Sequence, residues 1–114
     1  MKDERVYLEH IRDALTRIAV YISEGEARFF AETIIQDAVL RNLQTLAEAT
    51  QRLSEDRKGR FPLIDWRAMA GFRNVIVHTY LGINVARIWQ IVAADLPPLR
   101  QAIDAMLAEL DAQE

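Results

Sequence analysis

Leu8, Ile11, Leu15, Ile18 and Ile22 follow one another at steps of three and four residues, which places them on one stripe of a helix. The pattern predicts a helix from about Asp3 to Ser23, ended by Gly25. A segment holding Phe29 and Phe30 leads into a second, longer helix that reaches about Leu53, with Ile35, Val39, Leu43, Leu46 and Leu53 as its apolar side. The polar run from Ser54 through Arg60, followed by Pro62, reads as a loop. Asp65 is placed to cap a third helix that starts near Trp66, carries Arg73 to Tyr80 and stops at Gly82. Asn84 is an expected N-cap for a fourth helix with Ile88, Trp89 and Val92. Asp95 then precedes Leu96-Pro97-Pro98, a start that tolerates proline, and Leu99, Ile103, Met106 and Leu110 line the last helix.

No segment alternates with period two, and nothing repeats. The expected fold is therefore all-α, an up-down bundle of four to five helices, occupying residues 1–114 as a single domain. With 51% hydrophobic residues in 114, the chain has the apolar content for a real core.

Composition narrows the chemistry. There are no cysteines and two histidines, His10 and His78, so a thiolate metal site is excluded and a histidine cluster within one chain is not expected. No metal and no cofactor are expected. His10 reads as a surface residue of the first helix. The apolar runs fall well short of the ~20 residues that span a bilayer, and no signal-peptide core follows the N-terminus, so a cytoplasmic protein without membrane attachment is expected. Fourteen basic against 17 acidic residues argue against a broad surface for coating nucleic acid; such a site must be a local cleft.

The chemically pointed stretch runs from Gly71 to Gly82 and holds Arg73, Asn74, His78 and Tyr80 among apolar neighbours. Arginine forks onto phosphate oxygens, and histidine moves protons near neutral pH, so together they form a minimal kit for cutting a phosphodiester. An isolated pair of this kind is more often structural, the arginine meeting a carboxylate and the histidine a hydrogen-bonded core group. On an ideal helix Arg73 and Tyr80 lie about 20° apart, whereas Arg73 and His78 lie about 140° apart. Either the helix is distorted near His78, or the arginine wraps round, or a second copy of the chain completes the site. Phe72, Val75, Ile76, Val77 and Leu81 leave few solvent-facing positions, which favours a buried, dimeric setting. Asn74, about 40° from His78, is placed to fix the imidazole tautomer or to orient a phosphate.

A second polar stripe follows the long helix. Asp37, Arg41, Gln44 and Glu48 stand at steps of four, three and four, a spacing common among solvated helix pairs. Asn42 falls toward the apolar side between Val39 and Leu46 and reads as a buried, bundle-specifying group. Arg57, Lys58 and Arg60 are near enough to a surface to meet a phosphate backbone, but Glu55 and Asp56 beside them make a plain surface loop the simpler reading.

Arg73, four residues, His78, one residue and Tyr80 together resemble the signature of the HEPN superfamily, and in particular of the HepT-like toxins. The likeness extends to Asp37-Ala38-Val39, Arg41-Asn42-Leu43, Glu48-Ala49, Pro62, Trp66, Gly71, Gly82-Ile83-Asn84, Trp89, Leu96-Pro97 and Leu99, roughly residues 5 to 110. Thr79, where the family often has glutamate, and Leu81, where it often has an aromatic residue, depart from the pattern. The resemblance implies a helical dimer, or a higher even-numbered oligomer, that associates through the motif helix and brings Arg73 and His78 of both copies together. It further implies a metal-independent endoribonuclease toxin of a toxin–antitoxin module that acts on RNA. Arg73, His78 and Asn74 would be catalytic and Asp37, Arg41 and Asn42 supporting or RNA-contacting. A minimal nucleotidyltransferase antitoxin would adenylylate Tyr80. The alternative is a non-catalytic HEPN module that binds a nucleotide or substrate beside a nucleotidyltransferase.

Overall fold

The computed structural model describes residues 4–72 and 84–113, and within them every regular element is helical. The first helix, α1, is Arg5–Tyr21, with Leu8, Ile11, Ala14, Leu15 and Ile18 buried, as its periodicity predicts. Gly25 does not sit at its end. A short turn intervenes, and Gly25, at φ +97° and ψ 177°, opens α2, Glu26–Ala31. That backbone region is essentially open to glycine alone, which explains the residue at this position.

The Phe29-Phe30 segment is thus helical in its own right. It joins α3, Thr33–Gln51, through an extended Glu32. Carbonyls at the end of a short helix lack partners within it, and here the Gln36 side chain supplies one: its amide donates to the carbonyls of Phe29 (3.0 Å) and Phe30 (3.2 Å). On α3 itself Val39, Leu43 and Leu46 are fully buried, while Ile35 packs at the edge of the core.

The stretch from Ser54 to Arg60, expected as a loop, holds one helical turn, α4, Glu55–Gly59. Its cause is local. The Ser54 hydroxyl accepts from the Arg57 amide (3.1 Å), and Glu55 and Asp56 place negative charge at the first turn. Residues 66–72 form the described part of α5. Asp65 caps it as predicted, its carboxylate accepting from the Ala68 amide at 3.0 Å.

Asn84 likewise caps α6, Val85–Gln90, by accepting from the Arg87 amide at 3.1 Å. The expected break before the last helix is absent. Instead α6 widens into a π-turn, Ile91–Asp95, and runs on into α7, Leu96–Ala112. Asp95 has helical backbone angles and makes no side-chain cap. The prolines account for the widening: Pro97 and Pro98 bring no N–H, and their rings crowd the carbonyls of the preceding turn. The Leu96 amide accordingly donates to Ile91, five residues back.

Helix α1 packs against both α3 and α7. The direction of each follows from the contacts at its end. Glu4, at the start of α1, accepts from the Ser54 amide (2.9 Å) just beyond α3, and Arg5 pairs with Asp111 (2.9 Å) at the end of α7. Both neighbours therefore run antiparallel to α1, as in an up-down bundle. Phe29 is fully buried and stacks at a tilt on Trp89, with ring centroids 5.2 Å apart, so α2 is fastened to α6.

Replacing Phe29 with alanine empties a site at the junction of α2 and α6, and the expected cost is about 3–5 kcal/mol. Chemical denaturation monitored by tryptophan fluorescence measures it; a loss below about 1 kcal/mol means that the α2 aromatic cluster is not part of the cooperative core.

Candidate functional site

The residues that carry the predicted chemistry, Arg73, Asn74, His78 and Tyr80, lie outside the described residues, together with Thr79, Leu81 and Gly82. What the structure shows is how the chain enters and leaves them. On the entering side, Ile64, Met69 and Phe72 are buried, so α5 is held in the core up to its last described residue. Its start is tied down by the Trp66 indole N–H, which donates to the carbonyls of Lys58 (3.0 Å) and Phe61 (3.2 Å). Those are carbonyls at the end of α4, so the small helix of the polar run also seats the helix that leads to the motif. On the leaving side, the Asn84 cap and the buried Ile88 fix the start of α6.

The polar stripe of α3 is exposed, as expected for solvated positions. Asp37, Arg41, Gln44 and Glu48 face outward, and with Thr45 they line an open hollow of ≈580 Å³. A second hollow of ≈340 Å³ continues it toward α1, lined by Tyr7, His10, Thr45, Glu48, Ala49 and Arg52. His10 is indeed an exposed residue of the first helix. Thr45 and Arg52 belong to this surface although the sequence pattern did not single them out. Both continue the same three- and four-residue spacing, which was the available signal.

Asn42 stands apart from the stripe. It is 7% exposed, and its amide donates to the Ala38 carbonyl one turn back at 2.9 Å, which fits the reading as a buried polar group of the bundle.

The bases of the polar run are engaged within the fold. Arg57, its side chain 14% exposed, meets the Glu4 carboxylate at 3.3 Å; Lys58, 11% exposed, meets Glu55 at 3.4 Å; Arg60 meets Glu109 at 3.3 Å. The first and third tie α4 and its end to the start of α1 and to α7, the second lies within α4, and all three are in keeping with a structural role. Among the described residues, no three of His, Asp and Glu group in a way that can hold a metal ion, and no helix is long and apolar enough to cross a membrane.

Among the described residues the chain is a bundle of helices alone, with an aromatic contact between α2 and α6 and a polar stripe on the longest helix, α3. Residues 11–106 match the family model described as ribonuclease HepT-like. The chain belongs to that HepT-like ribonuclease family. It is 33% identical over 100 residues to a protein of Thermococcus cleftensis named "Probable ribonuclease HepT", covering 87% of this chain and 91% of that one. It is 31% identical over 111 residues to a Methanocaldococcus jannaschii protein named "Gamma-glutamylcyclotransferase and putative RNase", covering 96% of this chain. The chain spans 50% of the length of that relative. No solved structure matches it at a significant level.

Replacing Trp66 with phenylalanine keeps most of the ring and removes the N–H, leaving the Lys58 and Phe61 carbonyls only the backbone amides of Phe61 and Ile64 as donors. The expected loss is about 1 kcal/mol. Amide exchange should accelerate at residues 68 and 69, whose N–H groups bond back to Asp65. Unchanged exchange there means that the indole does not seat α5.

Proposed function

We propose that this chain is a metal-independent endoribonuclease of the cytoplasm, acting as the toxin of a toxin–antitoxin module. The observation that carries the reading is the family match over residues 11–106, a span that includes every residue of the Arg73…His78-x-Tyr80 motif. The ribonuclease names of the relatives point the same way.

The chemistry follows from the residue types. A ribose 2′-hydroxyl attacks the adjacent phosphorus, the new 2′-O–P bond forms, and the bond to the 5′-oxygen breaks. The products are a cyclic phosphate and a 5′-hydroxyl. One histidine takes the proton of the attacking hydroxyl or gives one to the leaving oxygen, and His78 holds that role. Arg73 stabilises the charge that builds on the equatorial oxygens, where a fixed, always-charged fork is worth most. Asn74 orients one of the two. Asp37 and Arg41 contribute the polar edge on α3, and Asn42 the buried amide beneath it. Because Arg73 and His78 point to different sides of an ideal helix, the groove is completed by a second copy of the chain. A nucleotidyltransferase antitoxin that transfers AMP to Tyr80 adds a bulky anion two residues from His78, and phosphate entry is blocked by charge and volume alike.

The test is cleavage of RNA by the purified chain in excess chelator. The wild type should cut and leave cyclic phosphate ends, while His78→Ala should lose at least about 10²-fold in rate, the lower range for a positioned acid or base. Arg73→Ala should lose about as much, from lost charge stabilisation. RNA that is bound but never cut by the wild type overturns the nuclease and leaves a binding module.

A further inference from the structure

The two polar hollows form one groove. The hollow on α3 and the hollow that reaches α1 share Thr45 and Glu48, so the surface runs unbroken from Arg41 to Tyr7, His10 and Arg52. Its two arginines stand on one line. Arg52 ends α3 with backbone angles that are still helical, and on an ideal helix it lies about three turns from Arg41, turned by about 20° and displaced by about 16 Å along the axis. Both are exposed, as are His10, Thr45 and Glu48. Guanidinium forks at that separation suit two phosphates of one strand, a few nucleotides apart.

The far end of the groove differs in kind from the stripe on α3. Tyr7 and His10 bring two flat rings to its α1 wall, and Tyr7 is half-buried and packed against the core, so its ring is held in place beforehand. A held ring is a platform on which a base stacks at little loss of freedom. Bases of a duplex already stack on one another, whereas those of a single strand are open to a side-chain ring. Glu48 lies between, lining both hollows. A carboxylate only accepts, so beside a stacked base it favours an exocyclic amino group, which adenine, cytosine and guanine carry and uracil lacks.

We propose that this groove is a subsite for single-stranded RNA, in which Arg41 and Arg52 hold phosphates, Tyr7 stacks a base beside His10, and Glu48 selects a base with an amino group. RNA as the ligand rests on the function proposed above. The contacts themselves are ones that the Arg73…His78-x-Tyr80 motif does not supply, and they are measured by binding rather than by cleavage.

The experiment is fluorescence anisotropy of the full chain with a single-stranded 2′-fluoro RNA oligonucleotide, which lacks the attacking hydroxyl and so reports binding alone. It is run over a range of salt concentrations, with circular dichroism to confirm that each variant is folded. Arg52→Ala should weaken binding and lower the slope of log affinity against log salt by about 0.7, the share of one phosphate on a single strand. Tyr7→Leu keeps an apolar body without the ring and should raise the dissociation constant at least about fivefold, while Tyr7→Phe should stay within about twofold of the wild type. The wild type should prefer oligocytidine to oligouridine by about fivefold, and Glu48→Gln should narrow that ratio. A wild type that does not bind, an unchanged salt slope in Arg52→Ala, Tyr7→Phe no better than Tyr7→Leu, or a duplex of the same length bound as tightly as the single strand each overturns the subsite. Equal affinity for the two oligonucleotides overturns the selection by Glu48. A wild type that follows this pattern but cuts no natural RNA counts against the nuclease and leaves the subsite standing; one that cuts RNA while the variants bind unchanged does the reverse.

Discussion

One apolar stripe on α1 has to serve two neighbours at once, and the rest of the bundle is arranged around that demand. Leu8, Ile11, Ala14 and Ile18 are each at most 1% exposed because α3 closes one side of the stripe and α7 the other, both antiparallel to α1. Burying one such side chain is worth about 1.5–3 kcal/mol, whereas an exposed ion pair is worth at most about 1. The sandwich therefore sets the topology, and the charges follow it. Once both neighbours run antiparallel, the end of α3 and the end of α7 must converge on the start of α1. That is where Glu4 meets Arg57, Arg5 meets Asp111 and Arg60 meets Glu109. These pairs fix the register of ends that the core has already brought together.

The same constraint explains which parts of the architecture were legible in the sequence. Stripes at three- and four-residue spacing gave α1, α3 and α7 with their buried faces, since burial is what that spacing records. Asp65 and Asn84 were found as caps because a short polar side chain ahead of an apolar run has a local job. Two features escaped for the opposite reason. The turn α4 has no buried residue, so no periodicity marks it; the Ser54 hydroxyl, the first-turn acids and polar contacts with Glu4 and Trp66 stabilise it. The join between α6 and α7 looked like a break because proline usually starts a helix. Here the prolines only remove two donors, and the chain answers by widening a turn, which costs less than unpacking Ile91, Val92 and Leu96 from the core.

The candidate site divides along a similar line. Arg73, Asn74, His78 and Tyr80 stood out in the sequence by residue type and order, because phosphodiester chemistry would ask for a fixed cation and a titratable ring. Their arrangement lies outside the described residues. The stripe on α3 was legible as a spacing but not as a surface, since four- and three-residue steps cannot tell a solvated face from one that awaits a neighbour. The structure shows its side chains exposed around an open hollow. It also separated Asn42 from the residues beside it, turning its amide back onto Ala38. For Arg57, Lys58 and Arg60 the ambiguity ended in the bundle, where each already has a carboxylate within 3.4 Å.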